Sequence, residues 1–441
     1  MIKIFIIFYS LFLFLSSVSP APLEVDITRG KIEPLPIAIT KFNYENDTEK
    51  EFSDKIFKII SYDLESSGFF RKLSNEAFLQ NEKEVFDLPY FSDWRLIDAN
   101  LIVSGNIKIL DGKIEIKLKL WDVYGEKVIL SKKIAGVSIS NWRFLSHILS
   151  NIIYEKATGE KGYFDTKIVY VSEQRESNKK IKRIAIMDYD GENHYYLTDG
   201  KELVLTPRFS PNGKDIVYLS YKNNKPSVYI LNLLTKKTKI LGNFDGMSFA
   251  PRFSYDAKKI IFSLTKRGSS NIFILNVLDD KVSQITNNRY INTSPYFAPS
   301  GKEIVFSSDR AGKQNIYILK LSPNFNTKPK RITYGKGNYA TPVWSPRGDL
   351  IAFTKTVNKK FYIGVINTNG KNERLIAEGY LAEGPSWSPN GRTLTYYKIN
   401  KKNDKEKASK LYTIDITGNL ERVLETPDEA SDPDWGPSIK Y

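Results

Sequence analysis

The sequence has no cysteine in 441 residues. Disulfides and thiolate metal sites are therefore excluded, and so is a lipid-bearing cysteine after a leader. There are two histidines, His147 and His194, which leaves almost no room for a histidine-based catalytic dyad or a His-rich zinc site. A run of about twenty apolar residues, the length that a membrane span needs, is also missing. The longest candidate, Ile4 to Leu15, is interrupted by Tyr9 and Ser10 and follows the single charge of Lys3. The small residues Ser16 to Ala21 come next, so residues 1–21 read as a signal peptide and the mature chain is expected to be exported and soluble. The net charge is +15, yet the lysines are spread widely and cluster where loops are expected. No basic stripe with interleaved aromatics is present, so nucleic-acid binding is not expected.

What is present is a repeat. Pro207-Arg208-Phe209-Ser210-Pro211-Asn212-Gly213 returns as Pro251-Arg252-Phe253-Ser254, Pro295-Tyr296-Phe297-Ala298-Pro299, Pro342-Val343-Trp344-Ser345-Pro346 and Pro385-Ser386-Trp387-Ser388-Pro389-Asn390-Gly391, at spacings of 44, 44, 47 and 43. A period in this range marks stacked supersecondary units. Each unit reads as four short strands rich in β-branched and aromatic residues, separated by turns, which is a propeller blade. Strands of the Ile-Val-Tyr type begin at Ile168, Ile216, Ile260, Ile304, Ile351 and Leu394, giving six blades. The first has no Pro-x-aromatic before it, and the chain ends with an orphan, Pro433-Asp434-Trp435. The C-terminal strand is therefore expected to complete the first blade and close the ring, removing an exposed edge. In one repeat Tyr255 replaces the second proline and Ala257 the glycine, which weakens that turn.

Residues 35–160 differ in pattern. Leu35 to Phe42 and Leu101 to Gly105 read as strands, and Lys113–Leu120 with Lys127–Leu130 as an antiparallel hairpin. Glu51–Ser66 and Trp142–Thr158 read as amphipathic helices, stopped by Gly68 and Gly159. The expected fold is a small α/β domain, a mixed sheet covered by two helices, followed over residues 163–441 by an all-β six-bladed propeller. Residues 22–34 form an extended mature N-terminus.

This layout resembles the TolB family of the Tol–Pal envelope system, over essentially the whole chain. The resemblance rests on the repeats, Leu23-Glu24-Val25-Asp26-Ile27 followed by Ile37-Ala38-Ile39, Phe91-x-x-Trp94 leading to Ala99-Asn100-Leu101-Ile102-Val103-Ser104-Gly105, Ser307-Ser308-Asp309-Arg310-Ala311-Gly312, and the closing Asp432-Pro433-Asp434-Trp435. It implies a non-enzymatic periplasmic adaptor that supports outer-membrane integrity and envelope constriction at cell division. It also implies two partners. The peptidoglycan-associated lipoprotein Pal would bind one propeller face. The inner-membrane protein TolA would bind the extended N-terminus, here Leu23, Glu24, Val25, Asp26 and Ile27.

Topology narrows the propeller face. Segments before each Pro-x-aromatic would be loops ringing one channel mouth. They contain Met247, Ser248 and Phe249; Asn292, Thr293 and Ser294; Tyr339, Ala340 and Thr341; and Glu383. Small residues with scattered aromatics suit a concave protein-binding face, and the family's binding positions match most clearly at Asn292-Thr293-Ser294-Pro295. The competing class is a propeller-bearing serine hydrolase or peptidase. It needs Gly-x-Ser-x-Gly and an α/β-hydrolase domain. Gly136-Val137-Ser138-Ile139-Ser140 lacks the last glycine, reads as strand, and is expected to have no helix directly after it. Asp188-Tyr189-Asp190-Gly191-Glu192-Asn193 echoes a calcium loop but lacks its distal glutamate, and is expected to be a plain turn. His147 is expected to be a packing or surface residue. No cofactor, metal or catalytic residue is expected.

Overall fold

The computed structural model describes residues 33–176, 179–222, 226–241, 247–322, 327–399 and 408–438. The signal-peptide reading and the segment Leu23–Ile27 lie outside the described residues. No helix among the described residues is long and apolar enough to cross a membrane.

The first unit is a five-stranded mixed sheet. Its elements are β1 (Leu35–Ile39), α1 (Asp47–Ser66), β2 (Phe70–Lys72), α2 (Glu82–Asp87), α3 (Phe91–Leu96), β3 (Leu101–Leu110), β4 (Lys113–Asp122), β5 (Lys127–Ser138) and α4 (Trp142–Thr158). The strand order is β2-β1-β3-β4-β5. β1 runs parallel to both neighbours. β3 and β4 are joined through Asp111 and Gly112, both at positive φ (49° and 69°), as a two-residue hairpin turn requires. α1 starts four residues earlier than its apolar pattern suggests. Asn46 accepts a hydrogen bond from the Glu49 amide at 3.0 Å, and Asp47 and Glu49 fill the first turn, which is favourable at a helix N-terminus. α1 and α4 bury Ile56, Ile60, Leu64, Leu145, Leu149 and Ile153 against one face of the sheet.

The opposite face is covered too, which the sequence reading missed. Val85 of α2 and Trp94 of α3 pack with Ala38, Ile102 and Trp121, and the Trp94 indole N–H donates to Gln80 at 2.8 Å. Helices of six residues are too short for a 3.6-residue period to declare itself. A second correction concerns Gly136–Ser140. It does end a strand, but a short 3-10 turn (Ile139–Asn141) leads directly into α4.

The second unit is the six-bladed propeller, and each blade is a four-stranded antiparallel sheet, in sequential order in all but the first, which begins with the C-terminal strand. The closing strand Glu429–Trp435 pairs with Lys167–Glu176 of the first blade, Trp435 opposite Ile168. The aromatic of each repeat packs between blades. Phe297, Trp344, Trp387 and Trp435 are buried, whereas Phe209 and Phe253 are half-buried. Those two border an open cavity of about 240 Å³ at one end of the channel, beside Tyr255, Trp387 and Trp435.

The two units share one core. Ile37, Phe70 and Tyr154 belong to the same cluster as Ile168, Tyr189, Leu411 and Trp435. The stretch Gly159–Gly162 is anchored: Glu160 pairs with Arg392 and Arg347, and Asn390 donates to the Lys161 carbonyl at 3.1 Å. At Gly68, φ is 77° and an added Cβ would lie 2.2 Å from Leu420 of the sixth blade, so this close approach needs glycine.

The inner turns are built alike. Gly213, Gly301, Gly348 and Gly391 take φ of 68–82°, and each amide bonds the carbonyl three residues back. Ala257 occupies the same position at φ 59°. A left-handed alanine costs roughly 1–2 kcal/mol, while an extra glycine loosens the unfolded chain by about 0.4–1 kcal/mol. Ala257→Gly should therefore stabilise the protein by ~0.5–1 kcal/mol, read as a raised urea midpoint with unchanged slope. Destabilisation would mean that the turn is not strained.

Candidate functional site

The residues expected in loops before each Pro-x-aromatic lie instead in the first strands of the blades, in Met247–Phe253, Asn292–Phe297, Asn338–Trp344 and Leu381–Trp387. Each first strand carries a one-residue bulge. In the fourth blade Thr293 pairs with Ser307 and Tyr296 with Val305, leaving Ser294 and Pro295 opposite one residue. The residue before the proline has positive φ in all six blades: Thr206 (48°), Ala250 (49°), Ser294 (52°), Thr341 (45°), Gly384 (67°) and Asp432 (52°). Five of these are not glycine, a strained choice. The bulge puts the proline, which has no N–H, where the ladder needs no donor, and it turns the preceding residues around one channel mouth.

The mouth is a cavity of about 170 Å³ bordered by Phe249, Ser294, Thr341 and Glu383, together with Thr206, Ala250, Gly384 and Asp432. Thr293 and Ala340, which precede Ser294 and Thr341 in the chain, are half-buried. Met247 and Ser248 pair through their backbones with Thr265 and Leu264. Asn292 and Tyr339 are fully buried, so neither offers a contact surface. The Asn292 amide donates to the Ser270 carbonyl at 3.0 Å and its oxygen accepts from Arg310 at 2.9 Å. The Tyr339 hydroxyl donates to Glu373 at 2.9 Å. Both hold the rim in place. Glu383 accepts from the Tyr397 hydroxyl at 2.8 Å; burial, aided by Asp432, raises its pKa against that hydrogen bond.

The sequence reading missed the charges inside the channel. They occupy the middle position of Pro-x-aromatic, one residue out of phase with the core aromatic, so strand alternation turns them inward. Arg208 and Arg252 are buried around Asp434, with Arg252 Nη1 at 3.6 Å and Arg208 Nε at 3.9 Å. Asp434 also accepts from the Phe209 amide at 2.8 Å and the Ser386 hydroxyl at 2.9 Å. Burial and the neighbouring Arg208 lower the Arg252 pKa to about 10, Asp434 opposing them, and it stays charged at neutral pH. The Arg252 guanidinium sits 4.9 Å over the Tyr296 ring, a favourable cation–π distance.

A second cluster lies between the units. Asp63 of α1, His147 of α4 and Asp190 of the turn Asp188–Asn193 have ligand atoms within 4.8 Å of one another. His147 is buried, one of the two outcomes expected, but it is hydrogen-bonded to a carboxylate, and the stretch after Asp188 is the expected turn, but its Asp190 pairs with Arg143 of α4. The imidazole turns Nδ1 to Asp63 at 2.8 Å and Nε2 to Asp190 at 3.8 Å. Opposite ring edges facing two carboxylates make a proton-holding arrangement, not a shared ligand position, and Asp190 already pairs with Arg143. A hydrolytic role is not supported either. The Ser138 and Ser140 hydroxyls lie 2.9 Å apart, bonded to each other, while His147 faces carboxylates.

The family described as the TolB amino-terminal domain matches residues 23–129, and that described as the TolB beta propeller domain matches residues 154–439. The Tol-Pal system protein TolB of Paramagnetospirillum magneticum is 50% identical over 429 residues, covering 96% of this chain and 95% of that one. Its counterpart in Pelagibacter ubique is 48% identical over 440 residues, covering 97% of each. That of Rickettsia prowazekii is 45% identical and covers 98% of each. The crystal structure of TolB from Acinetobacter baumannii superposes with a TM-score of 0.83 at 26% identity, covering 92% of this chain and 97% of that one.

The channel charges generate a test. Asp434→Asn leaves two buried guanidiniums without their shared counter-charge and should cost about 3–5 kcal/mol. Adding Arg252→Met to that variant should return part of the loss, because it removes one unpaired charge. Urea unfolding of both variants checks this, and additive losses would show that the three groups are not coupled.

Proposed function

The chain belongs to the TolB family, and from that premise we propose that it is a periplasmic adaptor binding two partners at two separate places. As a member of this family it is a non-enzymatic envelope protein of the Tol-Pal system. The channel-mouth face takes a peptidoglycan-associated lipoprotein of the Pal type, and the segment Leu23–Ile27 takes an inner-membrane protein of the TolA type. Joining the two serves outer-membrane integrity and constriction at cell division. The observation that carries the reading is the mouth itself. Four of the six bulged strands present Phe249, Ser294, Thr341 and Glu383 around a concavity, with Thr293 and Ala340 adjoining them in sequence, on buried supports formed by Asn292 and Tyr339. A rigid concave rim of small residues with an aromatic is suited to a protruding protein surface.

The N-terminal assignment rests on the family resemblance of Leu23–Ile27. Pro34 borders a cavity of about 350 Å³ formed by Ser67–Phe69 of the first unit and Asp415–Thr417 and Leu420 of the sixth blade. Pro34 thus lies at the start of the described chain, beyond the proposed segment, and it borders both units; we infer that lipoprotein binding and occupancy of the N-terminus influence each other. Any such influence is reciprocal in affinity.

Two variants separate the two places. Thr293→Arg sets a charge on the mouth and should weaken binding of the soluble lipoprotein domain by about tenfold or more. Ser300→Arg, in an exposed turn between the first two strands of the same blade, should leave it unchanged. Deletion of residues 22–27 should abolish binding of the TolA-type protein and spare the lipoprotein. Calorimetric titration reads all three. Equal losses from Thr293→Arg and Ser300→Arg would overturn the choice of face, and retained TolA-type binding after the deletion would overturn the role of the segment.

A further inference from the structure

The buried imidazole between the two units has a property that adaptor function does not use. His147 lies on α4, its Nδ1 2.8 Å from Asp63 of α1 and its Nε2 3.8 Å from Asp190 of the first blade. Both carboxylates are almost wholly enclosed, at 0% and 4% exposure. Nε2 has no hydrogen-bond partner. The Tyr189 hydroxyl donates to the other Asp63 oxygen at 2.5 Å. Tyr189 in turn stacks near Trp435 of the closing strand, with ring centroids 6.5 Å apart. The cluster therefore joins α1, α4, the first blade and the strand that closes the ring.

We propose that Asp63–His147–Asp190 is a proton-operated latch between the α/β unit and the propeller. With both ring nitrogens protonated, the imidazolium offers one N–H to each unit and carries the charge that both carboxylates need. With one proton lost, Nδ1–H keeps Asp63, and the bare Nε2 lone pair faces the Asp190 carboxylate across the interface. The contact of the imidazole with Asp190 turns from attraction to repulsion in a water-poor setting, where such contacts count most, and it then works against the Arg143–Asp190 pair across the same interface.

Charged and titratable groups face the histidine from every element packed against it. From α1 these are Asp63 and Tyr62. From α4 there is Arg143. Tyr163 comes from the connecting stretch, Lys167, Asp188, Tyr189 and Asp190 from the first blade, and Arg422 from the sixth. Burial raises the Tyr62, Tyr163 and Tyr189 hydroxyls above their ordinary range. Burial lowers the His147 pKa, but the charge and hydrogen bond of Asp63, with Asp190, outweigh it and Arg143, so the net shift is upward from 6.5. Burial also raises Asp190, against His147 and Arg143. A raised histidine pKa contributes stability that is complete below 6.5 and lost as pH rises through the folded value. Ionising a carboxylate of raised pKa weakens the fold in the same direction. The latch is therefore tightest in mild acid and weakened toward alkaline pH.

The absence of cysteine makes the test clean, because Ser92→Cys in α3 and Ser300→Cys in the propeller, both exposed, are the only sites that thiol dyes can label. Energy transfer between the two dyes in the full chain should give a narrow distribution at about pH 6 and a broader one at about pH 9. His147→Gln keeps a donor but cannot hold the charge, and its distribution should be the same at both values. Asp190→Asn removes the repelling carboxylate, so it should stay narrow at both. A wild-type distribution that does not change, or one that changes equally in both variants, would overturn the latch. Should His147→Gln fail to fold, proton NMR of the wild-type imidazole decides. With two histidines in the chain, His194 is the other signal, and its pKa is lowered from 6.5 by burial. A His147 midpoint above 6.5 is required, and one at or below it would overturn the proposal.

Discussion

The structure depends on one pairing, that of the last strand with the first blade. Glu429–Trp435 lies against Lys167–Glu176 and supplies the inner strand that the first blade lacks. Without it the propeller would have a free edge and an open seam. The same seven residues do more than close a sheet. The Trp435 indole donates to Thr166 at 2.8 Å and sits among Tyr163 and Tyr189, in the core shared with the α/β unit. Asp434 gathers Arg208, Arg252 and Ser386 in the channel. Asp432 supplies one of the five strained positions of the mouth. Ring closure, channel charge, mouth geometry and contact between the units thus converge on Asp432, Asp434 and Trp435.

That convergence accounts for a rim built on strained backbone. A bulge with a left-handed residue would be costly in an isolated hairpin. Here it recurs six times, each held by a proline at the bulge, antiparallel pairing on both sides of it and an aromatic packed between blades. The outcome is a rigid mouth lined by side chains of first strands, supported from below by buried polar groups such as Asn292 and Tyr339. Recognition by a surface prepared in this way loses less conformational entropy than recognition by free loops.

Much of this was legible in the sequence. A 43–47-residue period and an orphan Pro433-Asp434-Trp435 were enough for six blades and their closure, because each blade repeats the same local chemistry. The mixed sheet and its two long helices followed from periodicity. Besides the six-residue helices α2 and α3, three things were not legible. The segments before Pro-x-aromatic read as loops because Thr206, Ala250, Ser294, Thr341 and Asp432 are ordinary residues that give no sign of positive φ. Burial of Asn292 and Tyr339 depends on Arg310 and Glu373, which the fold brings in from neighbouring strands and turns. His147 read as a packing residue because its partner Asp63 is 84 positions away and no local motif joins them. The channel charges were within reach: an alternating strand must turn the middle residue of Pro-x-aromatic away from the core, and Arg208, Arg252 and Asp434 hold that position.

Amide hydrogen exchange along the closing strand tests ring closure most directly, because it reads the opening of that strand without altering the chain. The hydrogen-bonded amides of residues 429–435 and 167–173 should exchange only through global unfolding, with the same opening free energy as the inner strands of the fourth and fifth blades. Exchange of the closing strand through a local opening several kcal/mol easier than global unfolding would contradict it, and would show a frayed end where the structure places a seam.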